Sequence, residues 1–175
     1  YEDMKGLFQH LVYFQSPGTR DDFFRFTHLV NSSGGKIHLL FNKRDMEILD
    51  FELKTLYPDR ELLGKIYWSM KNLATSANQI VGSREEILRR IKVEGLDQGI
   101  EKAFDAWVSI MMEIGLIKLS LLGTRNCLEL VNNGNKFNLE DSLFYREGQR
   151  IKEAFKAWTG VAFSPRLCEE ICLRS

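Results

Sequence analysis

Residues 59–131 hold three helix-forming stretches followed by two short apolar runs joined by a tight turn, and this order constrains the fold more than any other part of the 175-residue chain. The first stretch opens at Asp59-Arg-Glu61, just behind Pro58, and turns Leu62, Leu63, Ile66, Tyr67, Met70 and Leu73 inward. The second opens on a capping box, Ser83-Arg-Glu-Glu86, ahead of Ile87, Leu88 and Ile91. The third runs from an Asp97 N-cap through Ile100, Phe104, Trp107, Val108 and Met111, a single helical stripe, and stops at Gly115. Leu116-Ile-Lys-Leu119 and Cys127-Leu-Glu-Leu-Val131 then make a hairpin around a turn containing Gly123.

Three helices and a hairpin in that order read as a winged-helix-like unit. In its usual DNA-binding role the third helix lies in a groove, so its exposed face should be basic. Here that helix carries Glu101, Lys102, Asp105 and Glu113, and phosphates would meet a net negative surface. The expectation is therefore a protein-contact or spacer module. The competing reading, a winged-helix DNA-binding regulator, places Lys102 or the 121–126 wing on DNA and requires affinity that falls steeply with salt.

Upstream, residues 10–42 read strand, helix, strand: Leu11-Val-Tyr-Phe14, a Ser16-Pro-Gly18 turn, a helix capped by Thr19, and Lys36-Ile-His-Leu-Leu-Phe41. Asp21 and Asp22 suit the positive end of that helix, whose buried side is expected to hold Phe23, Phe26, Leu29 and Val30 before the break at Ser33-Gly-Gly35. Both strands are nearly continuous apolar runs, which points to parallel strands covered on both faces in a partial βαβ, Rossmann-like unit. Two strands make a poor sheet, so the unit needs strands upstream of Tyr1 or support from the winged-helix-like part. Residues 43–58 form a charged connector that fits a strand or an irregular helix. After the polar Asn132-Asn-Gly-Asn135, Ser142 caps a helix with Phe144, Ile151, Phe155 and Trp158, ending near Gly160, and Ser164-Pro165 opens a final short one. The fold class is thus mixed α/β (α+β), divided as 1–58, 59–131 and 132–175 or closed into one compact domain.

With 24 basic and 24 acidic side chains, net charge names no partner, and no segment is a charged tail. No apolar run approaches the ~20 residues needed to span a bilayer, so a membrane is not an expected partner. Nor does the start at Tyr1 resemble a signal peptide; beginning without Met, it reads as a piece of a longer protein. Cys127, Cys168 and Cys172 form no disulfide framework, which fits a reducing compartment and a cytoplasmic location. Cys168 and Cys172 stand i, i+4 and would suit a metal, but with Leu167 and Ile171 they also complete an apolar helix face, the favoured reading.

Catalytic groups leave few marks. His10, His28 and His38 stand alone in the sequence, without the spacing that seats a metal. There is no Walker loop and no Gly-x-Gly-x-x-Gly after the first strand, and the lone glycine of Ser16-Pro-Gly18 is a thin basis for a phosphate-binding enzyme. No catalytic residue, metal ligand or cofactor is assigned. Basic side chains do gather: Arg84, Arg89, Arg90 and Lys92 on the second helix of the winged unit or at its end, and Arg150, Lys152 and Lys156 along the 143–158 helix. An acidic peptide ending in an apolar residue would use such a patch if a hydrophobic slot lay beside it. Glu85, Glu86, Glu94 and Glu153 interleave, as on any solvated face.

Several strings taken in order resemble the C-terminal region of RecJ-type single-strand-specific exonucleases of bacteria. They are Leu11-Val-Tyr-Phe14, Lys36-Ile-His-Leu-Leu-Phe41, Pro58-Asp-Arg60, Glu113-Ile-Gly-Leu-Ile117, and Asn138-Leu-Glu-Asp-Ser142 with Tyr145, and together they cover nearly the whole chain. Asn138 departs from the Asp often found there. The resemblance implies a parent enzyme that degrades single-stranded DNA from its 5′ end with manganese or magnesium held by an N-terminal core. The motifs of that core are absent from this sequence, so no catalytic residue carries over. What remains is an accessory region in DNA repair and recombination. Its expected partners are the rest of the exonuclease chain and repair proteins such as the acidic tail of single-strand-binding protein, with single-stranded DNA a weaker expectation.

Overall fold

The computed structural model describes residues 8–31, 34–93, 99–123, 125–131, 137–165 and 167. The chain is a mixed α/β protein in two compact units, one built from residues 1–51 and 150–175 and the other from 52–149. Among the described residues there are six α-helices and two small sheets.

In the first unit, β1 (His10–Tyr13) and β2 (Lys36–Leu39) pair in parallel, joined by α1 (Arg20–Asn31). Thr19 caps α1, its Oγ1 accepting from the Asp22 N–H at 3.1 Å. The core holds Phe23, Phe24, Leu29 and Val30 of α1 with Phe155 and Trp158 of α6 (Leu143–Thr159). Phe26 is only half-buried; Phe24 and Thr27 take the interior positions instead. Phe23 lies at the centre, its ring centroid 5.1 Å from both Tyr13 and Trp158. Tyr13 Oη donates to the Phe23 carbonyl at 2.7 Å, and Trp158 Nε1 donates to Ser16 Oγ at 3.0 Å. Such buried aromatic groups need a partner for their polar ends. The strands are not covered on both faces: Leu11, Tyr13 and Ile37 are half-buried, whereas His10, Val12, Lys36 and His38, which alternate with them, are exposed. Parallel pairing followed from the apolar runs, but two strands with one crossover helix have only one side to bury.

The connector resolves into α2 (Lys43–Leu56), capped by Asn42, whose Oδ1 accepts from the Arg44 N–H at 2.7 Å.

The second unit contains α3 (Arg60–Leu73), β3 (Gln79–Gly82), α4 (Arg84–Arg90), α5 (Ile100–Glu113), β4 (Ile117–Leu122) and β5 (Arg125–Leu130). The strand β3, which the sequence reading missed, pairs antiparallel with β5, and the sheet order is β3-β5-β4. Its core gathers Leu63, Ile66 and Met70 of α3, Ile80 of β3, Ile87 and Leu88 of α4, Phe104, Trp107, Ile110 and Met111 of α5, and Ile117, Leu128 and Leu130 of the hairpin. Local signals hold well: Asp59 caps α3, and Ser83 with Glu86 forms the full capping box of α4. One does not. The residue capping α5 is Gly99, at φ +93°, and Asp97 lies outside the described residues. A Cβ on Gly99 would stand 2.7 Å from Thr55 Cγ2, so close approach adds to the backbone's need for glycine. Gly123 turns the hairpin at φ +64°.

Ser142 caps α6 as expected, its Oγ accepting from the Tyr145 N–H at 3.0 Å. A carboxylate supports it: Glu113 Oε2 accepts from Ser142 Oγ and from the Phe144 N–H (3.1 Å). The Ser142 hydrogen bond, chiefly, holds the Glu113 carboxyl below the ordinary range. The helix that Ser164-Pro165 would open, with Cys168 and Cys172, falls mostly outside the described residues. None of the described helices is long and apolar enough to cross a membrane.

Candidate partner-contact surfaces

Structure divides the basic residues singled out from the sequence. Arg84 stands at the first position of α4 and makes a two-pronged contact with Asp105 of α5, Nε to Oδ1 at 3.2 Å and Nη2 to Oδ2 at 2.7 Å. Glu101 lies 3.9 Å away. Those carboxylates, Asp105 first, raise the guanidinium above its usual value, and its charge is committed within the unit. The pair rims a cavity of about 310 Å³ between α4, α5 and the hairpin, floored by Ile87, Phe104, Val108, Leu119 and Leu128.

The hairpin, whose Leu119 lines this cavity, exposes apolar side chains: Leu119 at 44%, Leu121 at 74% and Leu122 at 65%; Met112 of α5 is 45% exposed. The strand β4 is also an edge of its sheet. On α5 the exposed charges are Glu101, Lys102, Asp105 and Glu113, and Lys102 lies 3.8 Å from Glu52.

Arg90 and Lys92 go elsewhere. Together with Lys65, Trp68, Ser69, Asn72, Leu73 and Val93 they line a shallow groove of about 400 Å³ between α3 and the segment that follows α4. That segment is held to α3 by the Lys92 N–H donating to Ser69 Oγ at 3.2 Å. Arg89 is exposed but does not line the groove. Arg150, Lys152 and Lys156 lie on α6 within the other unit, Arg150 and Lys156 exposed and Lys152 half-buried, so the two basic rows belong to separate bodies.

Sequence reasoning missed three features. Trp68 was passed over, yet it falls off the stripe of Leu63, Ile66 and Met70, which marks it as outward-facing. The alternation of Leu119 and Leu121 along β4 was read as an ordinary strand. Finally, His10 and His38, taken as solitary, meet across the parallel pair, Nδ1 to Nε2 at 2.8 Å. Ring centroids 5.1 Å apart with the nitrogens at that distance describe rings meeting end to end, one N–H donating to the other ring. Only the register Val12↔His38 brings them together, and 28 residues of sequence hide it. Among the described residues there is no group of three or more His, Cys, Asp or Glu side chains placed to hold a metal ion. No family model, no curated protein and no solved structure matches the chain.

Proposed function

We propose that this chain is a non-catalytic accessory region of a RecJ-like 5′-to-3′ single-stranded-DNA exonuclease, and that its second unit is a winged-helix-like module used for protein contact, positioning the nuclease core. The winged-helix reading is supported by the order α3-β3-α4-α5-β4-β5 and the sheet order β3-β5-β4. Parallel β1 and β2 around α1 support the partial Rossmann-like reading of the first unit. The resemblance of ordered strings supports the family.

One observation carries the contact role: where a DNA-reading module would present cations, this one presents Leu119, Leu121 and Leu122 on the edge strand of its sheet, beside an α5 whose exposed charges are mainly acidic. Phosphates gain nothing from such a face, while an apolar protein surface gains by covering it. The metal that the parent enzyme uses belongs to its core. Two measurements test the reading. The purified chain with manganese or magnesium and 5′-labelled single-stranded DNA should leave the strand intact; metal-dependent hydrolysis would refute the non-catalytic role. Hydrogen exchange at β4 and α5 should slow when the nuclease core of a RecJ-like enzyme is added, and Leu119→Asp with Leu121→Asp should abolish the slowing. Unchanged exchange in the native chain would refute the contact role.

A further inference from the structure

Beyond that reading, and independently of it, we infer that the groove between α3 and the end of α4 binds single-stranded nucleic acid, with Trp68 as a stacking platform and Lys65, Arg90 and Lys92 as phosphate contacts. Trp68 is 63% exposed, whereas the chain's other two tryptophans, Trp107 and Trp158, are fully buried. An indole left in water forgoes a large burial gain, and here it stands beside three cations in a groove whose lining, among the described residues, includes no carboxylate. Lys71 places a fourth cation 5.6 Å from the indole centroid. Glu61 pairs with Lys65 at 2.7 Å with both side chains more than half exposed, and an ion pair so exposed is one that a phosphate can displace at little cost. Arg90 and Lys92 make no ion pair among the described residues.

An exposed aromatic face flanked by cations is the chemistry of sequence-tolerant strand binding: bases stack on the ring and the backbone follows the charge. An acidic peptide is the other anion of the right size, but its apolar anchor needs a slot. The groove's aliphatic lining is Leu73, half-buried, and Val93, already 8% exposed, so the apolar surface on offer is a flat ring instead of a hole. Geometry therefore favours a base over an aliphatic or aromatic side chain.

The test is titration of the 175-residue chain with a fluorescein-labelled 12-mer of thymidylate, read by anisotropy, alongside intrinsic tryptophan emission with an unlabelled 12-mer. Binding should quench the emission, because the one exposed indole is the platform. Three phosphates neutralised on a single strand imply a loss of affinity of about 20-fold between 50 and 200 mM salt. Trp68→Ala should lose about 5- to 150-fold, the value of one stacked base, and Trp68→Phe should recover most of it. Arg90→Glu with Lys92→Glu should remove binding and its salt dependence. All these side chains are exposed, so circular dichroism of each variant should match the native chain. Oligonucleotide affinity that is unchanged in both Trp68→Ala and the charge-reversed variant would overturn the assignment. So would an acidic peptide that quenches Trp68 and displaces the oligonucleotide from the native chain at lower concentration.

Discussion

Gly64 and Gly148 both lie inside helices, and the same substitution at the two should move stability in opposite directions. Gly64 is exposed on α3, and a Cβ built on it meets nothing within 4 Å. Gly64→Ala therefore gains the propensity difference alone, about 0.8–1.0 kcal/mol in an exposed helix interior. Gly148 is buried on α6, where a Cβ would stand 2.6, 2.8 and 2.9 Å from Tyr57 Cδ1, Cβ and Cγ. Ordinary contact begins near 3.4 Å, and because Tyr57 Cβ is fixed to its own main chain, turning the ring cannot relieve the clash. Overpacking of this kind costs about 1–3 kcal/mol, against the same propensity gain of about 1 kcal/mol. The net for Gly148→Ala is a destabilisation of about 1 kcal/mol, so the two variants should differ by about 2 kcal/mol. With a urea slope of about 2 kcal/mol/M, their midpoints should fall about 1 M apart on either side of the native chain. In a Tyr57→Gly background the sign at Gly148 should reverse, because the Cβ and the ring atoms that obstruct it are all gone. A Gly148→Ala chain as stable as Gly64→Ala would show that the helix gives way freely there, and the argument from space would fail.

Other outcomes can be checked more simply. Ser83→Ala removes one half of the α4 capping box and should cost about 1 kcal/mol in urea unfolding. Burial, with Asp22 nearby, pushes the Tyr13 hydroxyl up to about 12, so spectrophotometric titration should find a hydroxyl ionising well above the ordinary tyrosine value of about 10, and Tyr13→Phe should remove it. Raised pKa means that this contribution is intact below about 10 and is lost as pH climbs from there towards 12; Tyr13→Phe should flatten that part of the stability profile. The Glu113 carboxyl is held low, so its contribution is present above about pH 4.3 and is lost as pH falls through the lower folded value. Glu113→Gln should therefore be less stable than the native chain at neutral pH, by under about 1 kcal/mol for so exposed a group, and the gap should close in acid.

What could be read from sequence was what is decided within a few residues. Thr19, Asp59, Ser83 and Ser142 each satisfy an N–H three positions on, and all four caps form where the chain announces them. The strand β3 could not be read that way: four residues, Gln79–Gly82, become a strand only because Glu129 to Asn126 lie beside them. Residues 43–58 fit strand and helix alike because they carry no clean stripe, and the structure explains why, since Ile48 and Phe51 of α2 stay about half exposed while Met46 alone among its large apolar residues is deeply buried. The candidate site suffered from reading charge without its partners. Arg84 looked as free as Arg90 until Asp105, 21 positions on, turned out to hold it. Trp68 carries no charge and so drew no notice, although its place off the α3 stripe was visible.

The edge strand β4 also bears on how the protein can be handled. Ile117-Lys-Leu-Ser-Leu-Leu122 carries one charge, no proline and three exposed leucines on a strand with an open side. Such a segment is a template for pairing with its like. The chain alone should enter a slow, concentration-dependent precipitation seeded at this hairpin, and a charge at Leu121 should extend its shelf life at millimolar concentration. If a partner covers this edge, as proposed above, the two together should stay in solution at concentrations where the chain alone precipitates.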